Sequence, residues 1–185
     1  MPKKVFINGG ELFDNETQQF ISVKPIELVL EHCLVSISRW ESKFHKPFLV
    51  DKPEKTPDEM FYYMKCMVLN HDMDDIDDNT FKCCSQEVID DIIKYIKDPQ
   101  TATTITIRNK KKNRDIITSE LIYYWMCANY IPFSCETWPL NRLLTLVEVC
   151  SVKNDPKQGK MSTKDILSQN HALNMARRAK LGSLG

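Results

Sequence analysis

The sequence predicts an α+β domain. Three observations carry this: β-type runs broken by turn residues crowd the first 30 positions, helical apolar stripes dominate the rest, and strands and helices do not alternate as they do in a βαβ chain. The expected architecture is a small N-terminal antiparallel β meander plus a β-hairpin. These pack with a mainly helical body that ends in an αα-hairpin and is followed by a detached C-terminal helix.

The meander is read from Val5–Ile7, Leu12–Phe13, Phe20–Val23 and Ile26–Leu30. Gly9-Gly10 is a two-residue hairpin signal, and Asp14–Thr17 forms a second turn. Pro25, which lacks a backbone donor, belongs at an edge or a strand start.

A first helix over about 32–43 follows from Cys33, Ile37, Trp40 and Phe44 sharing one helical face, and Pro47 closes it. Residues 51–56 read as a loop. Thr56-Pro57-Asp58-Glu59 is a capping box with proline at the first helical position, and it starts a helix over about 57–69. Residues 71–80 form an acidic loop, Ser85 opens a helix to Lys97, and Asp98-Pro99 stops it.

Thr101–Arg108, rich in Thr and Ile, predicts a strand, paired through a basic turn at 109–114 with Asp115–Ile117. Helices over about 119–130 and 138–151 make the αα-hairpin, the second capped by Ser134 or Thr137. The first is apolar nearly all round, which places it and Trp125 in the core. A polar linker with Pro156 and Gly159 then leads to a weakly amphipathic helix over about 163–180. The expected division is a single domain over 1–153, with a linker and basic tail over 154–185.

At 42% hydrophobic and 27% charged residues, the composition is that of a soluble globular protein. No apolar run is long enough to cross a bilayer, and Met1-Pro2-Lys3-Lys4 does not open a secretory signal, so a cytoplasmic location is expected. The seven cysteines are odd in number and lack a CxxC pair, which favours reduced thiols in the core over disulfides or zinc. Net charge is zero but uneven: residues 1–100 carry 12 basic against 19 acidic side chains, and residues 101–185 carry 13 against 6. That imbalance suits neutralisation within one fold, head-to-tail contact between copies, or an acidic partner for the basic half.

No motif supports catalysis. Asp75-x-Asp77-x-Asn79 starts like a calcium loop but has Thr80 where glycine is needed and Gln86 where a bidentate Glu is needed. The four histidines have no metal spacing, and the chain has no P-loop, no GxGxxG and no GxSxG. The expectation is a protein with no enzymatic activity, no metal and no cofactor. The candidate binding residues are Trp40 and Lys43 on the first helix, Lys110, Lys111 and Lys112 in the basic turn, and Arg177, Arg178 and Lys180 in the tail. The basic turn has no interleaved aromatics for stacking bases, which argues against nucleic acid.

Five stretches together resemble a group of small tailed-bacteriophage tail-module proteins, the tail assembly chaperones. They are 27–49 (ELVLEHCLVSISRWESKFHKPFL), 99–108 (PQTATTITIR), 117–126 (ITSELIYYWM), 141–154 (NRLLTLVEVCSVKN) and 160–180 (KMSTKDILSQNHALNMARRAK). The resemblance implies a non-catalytic protein of the host cytoplasm that binds the tape measure protein and tail tube subunits and self-associates. No membrane contact is expected, because no apolar run is long enough to cross a bilayer. A structural virion or connector protein, and a nucleic-acid-binding regulator, are the alternatives.

Overall fold

The computed structural model describes residues 2–14, 18–50, 52–103, 115–154, 167, 168, 170–175 and 177. The fold is α+β. Among the described residues, four strands, β1 (Lys3–Ile7), β2 (Gly10–Asp14), β3 (Gln19–Val23) and β4 (Ile26–Leu30), precede five helices, apart from the helical residues within 167–177. These are α1 (Leu34–Phe44), α2 (Pro57–Cys66), α3 (Gln86–Lys97), α4 (Ser119–Ala128) and α5 (Leu140–Asn154). Short 3₁₀ turns lie at Met73–Asp75, Thr80–Cys83 and Phe133–Thr137.

The strands do not form a meander. Among the described residues β1 pairs with β4 and β2 with β3, both antiparallel. Lys3 faces Leu30, and Gly10 faces Val23; in both ladders the partner numbers add to the same value. The N-terminus is therefore one long hairpin, interrupted halfway. Gly9-Gly10 is not its turn. Gly9 holds φ +72°, and a Cβ there would lie 2.3 Å from the Val23 carbonyl oxygen. Next to it, with its nitrogen 2.8 Å from that Cβ position, Pro25 has no N–H to continue the ladder. Glycine is needed here for close backbone approach, not for reversal.

The inner face of β1 and β4 buries Val5, Ile7, Leu28 and Leu30. The outer edge of β4 is closed by the chain just after α2. Glu31 N–H donates to Met67 O at 2.9 Å and Leu69 N–H to Val29 O at 2.8 Å. The Asn70 side chain then accepts from Val29 N–H (2.8 Å) and donates to Glu27 O (2.9 Å). This pairing explains why α2 ends at Cys66, short of the 69 that apolar spacing predicts: residues 67–70 are taken by the sheet edge. The capping box forms as expected, with Thr56 Oγ1 accepting from Glu59 N–H and Glu59 Oε2 from Thr56 N–H.

α1 is the central helix, packing on α2, α4 and the 133–137 turn. Leu34, Ile37 and Trp40 are buried on it, and Tyr63, Met64 and Met67 are buried on α2 and just after it. Phe48 stacks on Tyr63 at 3.9 Å and meets Trp40 edge-on at 5.1 Å. α3 lies on β1 and buries Ile92.

Two expectations about the second half need correction. The two helices of the expected αα-hairpin are separated by residues 129–139, which hold a 3₁₀ turn, and α4 packs chiefly on α1. The start of α5 is capped by neither Ser134 nor Thr137. Leu140 N–H donates to His32 O at 2.7 Å, so a carbonyl from the β4–α1 junction satisfies it. Of the expected basic hairpin, residues 104–114 lie outside the described residues, and 101–103 and 115–118 are not in a strand.

The chain divides into two compact units, 1–147 and 148–185. In the second, residues 167, 168, 170–175 and 177 are helical, and every one of them is exposed. Among the described residues, no helix is long and apolar enough to cross a membrane.

Candidate partner-binding surface

The surface is built on α4. Its first amides are held from both sides: Thr118 Oγ1 accepts from Leu121 N–H, and the buried Glu41 carboxylate of α1 accepts from Ser119 N–H at 2.7 Å. Ser119, Ile122 and Met126 form the buried face. The opposite stripe is Glu120, Tyr124, Cys127 and Ala128, all exposed. The helix was expected to be buried on all sides; at ten residues packed mainly on one neighbour, it buries one face only. Trp125, expected in the core, is half-buried.

The C-terminus of α4 closes in a Schellman motif. Tyr130 N–H donates to Cys127 O and Ile131 N–H to Met126 O. The left-handed position of that motif favours glycine, yet Tyr130 occupies it at φ 55°. Its ring is 93% exposed. Tyr124 (64%) on the helix, Ile116 (62%) before it and Phe133 (55%) after it are exposed as well. Phe133 is positioned by Tyr123, with ring centroids 6.0 Å apart, and Tyr123 is anchored through its hydroxyl to Glu136 at 2.8 Å.

Of the expected site residues, Trp40, Lys43 and Arg177 are described. Trp40 is buried, with its indole N–H donating to Glu59 O at 2.9 Å, so it is a core residue and unavailable to a partner. Lys43 is exposed, 5.9 Å from the Tyr62 ring centroid. Lys110, Lys111 and Lys112 lie outside the described residues, as do Arg178 and Lys180. Arg177 is helical and exposed.

The ionisable groups of the interior brace the fold. His32 Nδ1 is hydrogen-bonded to the Tyr63 hydroxyl, and burial pushes the imidazole down to about 4. Glu31 accepts from the Tyr95 hydroxyl at 2.8 Å; burial raises its carboxyl above the usual value, against that hydrogen bond. Cys33, Cys66 and Cys135 are buried, and burial pushes the Cys66 thiol up to about 12, which leaves it unreactive near neutral pH. Cys83, Cys84 and Cys150 are part-buried, and Cys127 is exposed.

No known family model, curated protein or solved structure matches this chain.

Ile116, Tyr124, Tyr130 and Phe133 were not singled out as site residues from the sequence. The signal was present: residues 116–133 contain a single charge, Glu120. In a chain with 27% charged residues, that run was read as core, because apolar content does not say which side of a helix faces inward.

Proposed function

We propose that this chain is a non-catalytic assembly chaperone of the bacteriophage tail module, acting in the host cytoplasm through protein–protein contacts with the tape measure protein and tail tube subunits. The observation that carries the reading is the helical stretch within 167–177. Leu167, Leu173 and Met175 are exposed there beside the cation Arg177. A helix that leaves its apolar side chains in water gains little from its own burial and is stabilised by docking on another molecule. The basic surplus of residues 101–185 adds attraction to an acidic partner.

The test is co-expression of the full chain with the long coiled-coil tape measure protein of its gene module, followed by affinity capture. A second chain ending at residue 159 is run in parallel. The expected result is co-purification with the full chain, none with the shortened one, and the same thermal unfolding profile for the body of both. Absence of the chain from purified particles is expected as well. Capture of the tape measure protein by both chains alike would remove the final helix from the account; capture by neither would end the tail-assembly reading.

A further inference from the structure

Among the described residues of the unit that carries it, the outward face of α4 has no cover, and the kind of surface it presents points to its occupant. Tyr124 on that face, Ile116 before the helix, and Tyr130 and Phe133 after it are each more than half exposed. An aromatic side chain offers about 150–250 Å². Scaled by their exposure, the three rings and Ile116 present on the order of 500 Å² of apolar surface, against the roughly 800 Å² per partner of a standard interface. The remainder is what a polar rim supplies.

The charge pattern narrows the choice. Between 116 and 133 only Glu120 is charged, and it lies in the first turn, at the edge of the stripe rather than its middle. A surface that meets an unlike partner usually carries charges that select it. A surface that meets its own copy across a two-fold axis places each charge near its equivalent, so it is best left without charge at the centre. Interfaces between identical subunits are accordingly more apolar than those of transient complexes. The middle of the α4 stripe fits the first description poorly and the second well: Cys127 and Ala128 are small enough for two helices to approach closely, and Tyr124 and Tyr130 flank them. Tyr130 also stands in a backbone conformation that its own fold would rather give to glycine. Strain retained under an exposed ring points to a role for that ring.

We infer that the outward face of α4 is a two-fold dimer interface, with Tyr124 and Tyr130 of one copy packing against Cys127, Ala128 and Phe133 of a second copy. This contact is separate from head-to-tail stacking of basic tail on acidic body, and it does not depend on the tail-assembly reading.

Cys127 supplies a built-in probe, since it is the one exposed cysteine of the seven. The full chain is measured by sedimentation equilibrium and treated with a short bismaleimide, and the linked peptides are mapped by mass spectrometry. The expected result is a dimer with a Cys127–Cys127 link. Tyr124→Glu should weaken dimerisation by about tenfold or more, as for the loss of a central aromatic anchor. Tyr130→Gly should weaken it too, while its circular dichroism and thermal unfolding show a folded chain, because glycine suits that left-handed position. A monomer at every concentration tested would overturn the inference. So would a dimer that both variants leave unchanged and that yields no Cys127–Cys127 link. Because tape measure capture is measured separately, failure here leaves the proposed function standing, and failure there leaves the dimer standing.

Discussion

The Glu41 carboxylate of α1 accepts from Ser119 N–H at 2.7 Å through Oε2, and from Phe48 N–H at 2.8 Å through Oε1. One buried acidic side chain thus starts α4 and holds the loop after α1, across 78 residues of sequence in the case of Ser119. The favourable placement of a negative charge at a helix N-terminus adds to the two hydrogen bonds.

Replacing Glu41 with Ala is expected to destabilise the fold by about 2–4 kcal/mol, because two buried amide donors lose their acceptor. Glu41→Gln should cost less, since one acceptor oxygen survives. Urea unfolding of the three proteins checks the order. A Glu41→Ala midpoint equal to that of the parent would show that water serves these amides equally well. The loss should also appear as faster hydrogen exchange at the first turn of α4.

Acid should weaken the fold through His32. Burial holds its imidazole at about 4, below the ordinary 6.5, so the folded state favours the neutral ring hydrogen-bonded to Tyr63. The unfolded chain then binds more protons between those two values, and stability falls as pH drops from about 6.5 towards about 4. The full effect is on the order of 3 kcal/mol. Glu31 opposes it: its raised carboxyl binds protons more readily in the fold, which returns some stability as pH falls below its folded value. Urea midpoints at pH 7 and pH 5 should differ for the parent and differ less for His32→Asn. Equal slopes in the two proteins would exclude the imidazole as the cause.

Gly9→Ala is expected to disturb the hairpin strongly. The new methyl group would sit 2.3 Å from the Val23 carbonyl oxygen, and the backbone there is at φ +72°. Both effects act at once, so a loss of about 2 kcal/mol or more is expected. Gly10→Ala is the control: its nearest neighbour would be Cys83 Sγ at 3.9 Å, an ordinary contact, although its own φ of +159° makes it not wholly free. Thermal unfolding of the pair should rank Gly9→Ala well below Gly10→Ala.

Local chemistry made much of the fold legible. Thr56-Pro57-Asp58-Glu59 starts α2 as it reads, because a capping box satisfies its amides within four residues. Of the stripe of Cys33, Ile37, Trp40 and Phe44, the first three are buried, Cys33 at the N-cap of α1, and Phe44 is half-buried. Gly9-Gly10 was misread because a glycine pair signals unusual backbone geometry without saying whether the chain turns or passes close to another strand. Trp40 was expected at a binding surface but is buried, as is Glu41 beside it, which is drawn inside by the amides it serves.

The sequence by itself determined the α+β class, the positions of most helices and the charge-poor run at 116–133, because these follow from periodicity, capping and composition over a few neighbouring residues. Only the tertiary structure decided that residues 67–70 close the edge of β4, that His32 O caps α5, that Glu41 caps α4, and which side of α4 is left in water. Each of these joins groups far apart in the chain. A backbone donor or an apolar ring shows its need for a partner in the sequence, but which distant group meets that need depends on how the elements pack.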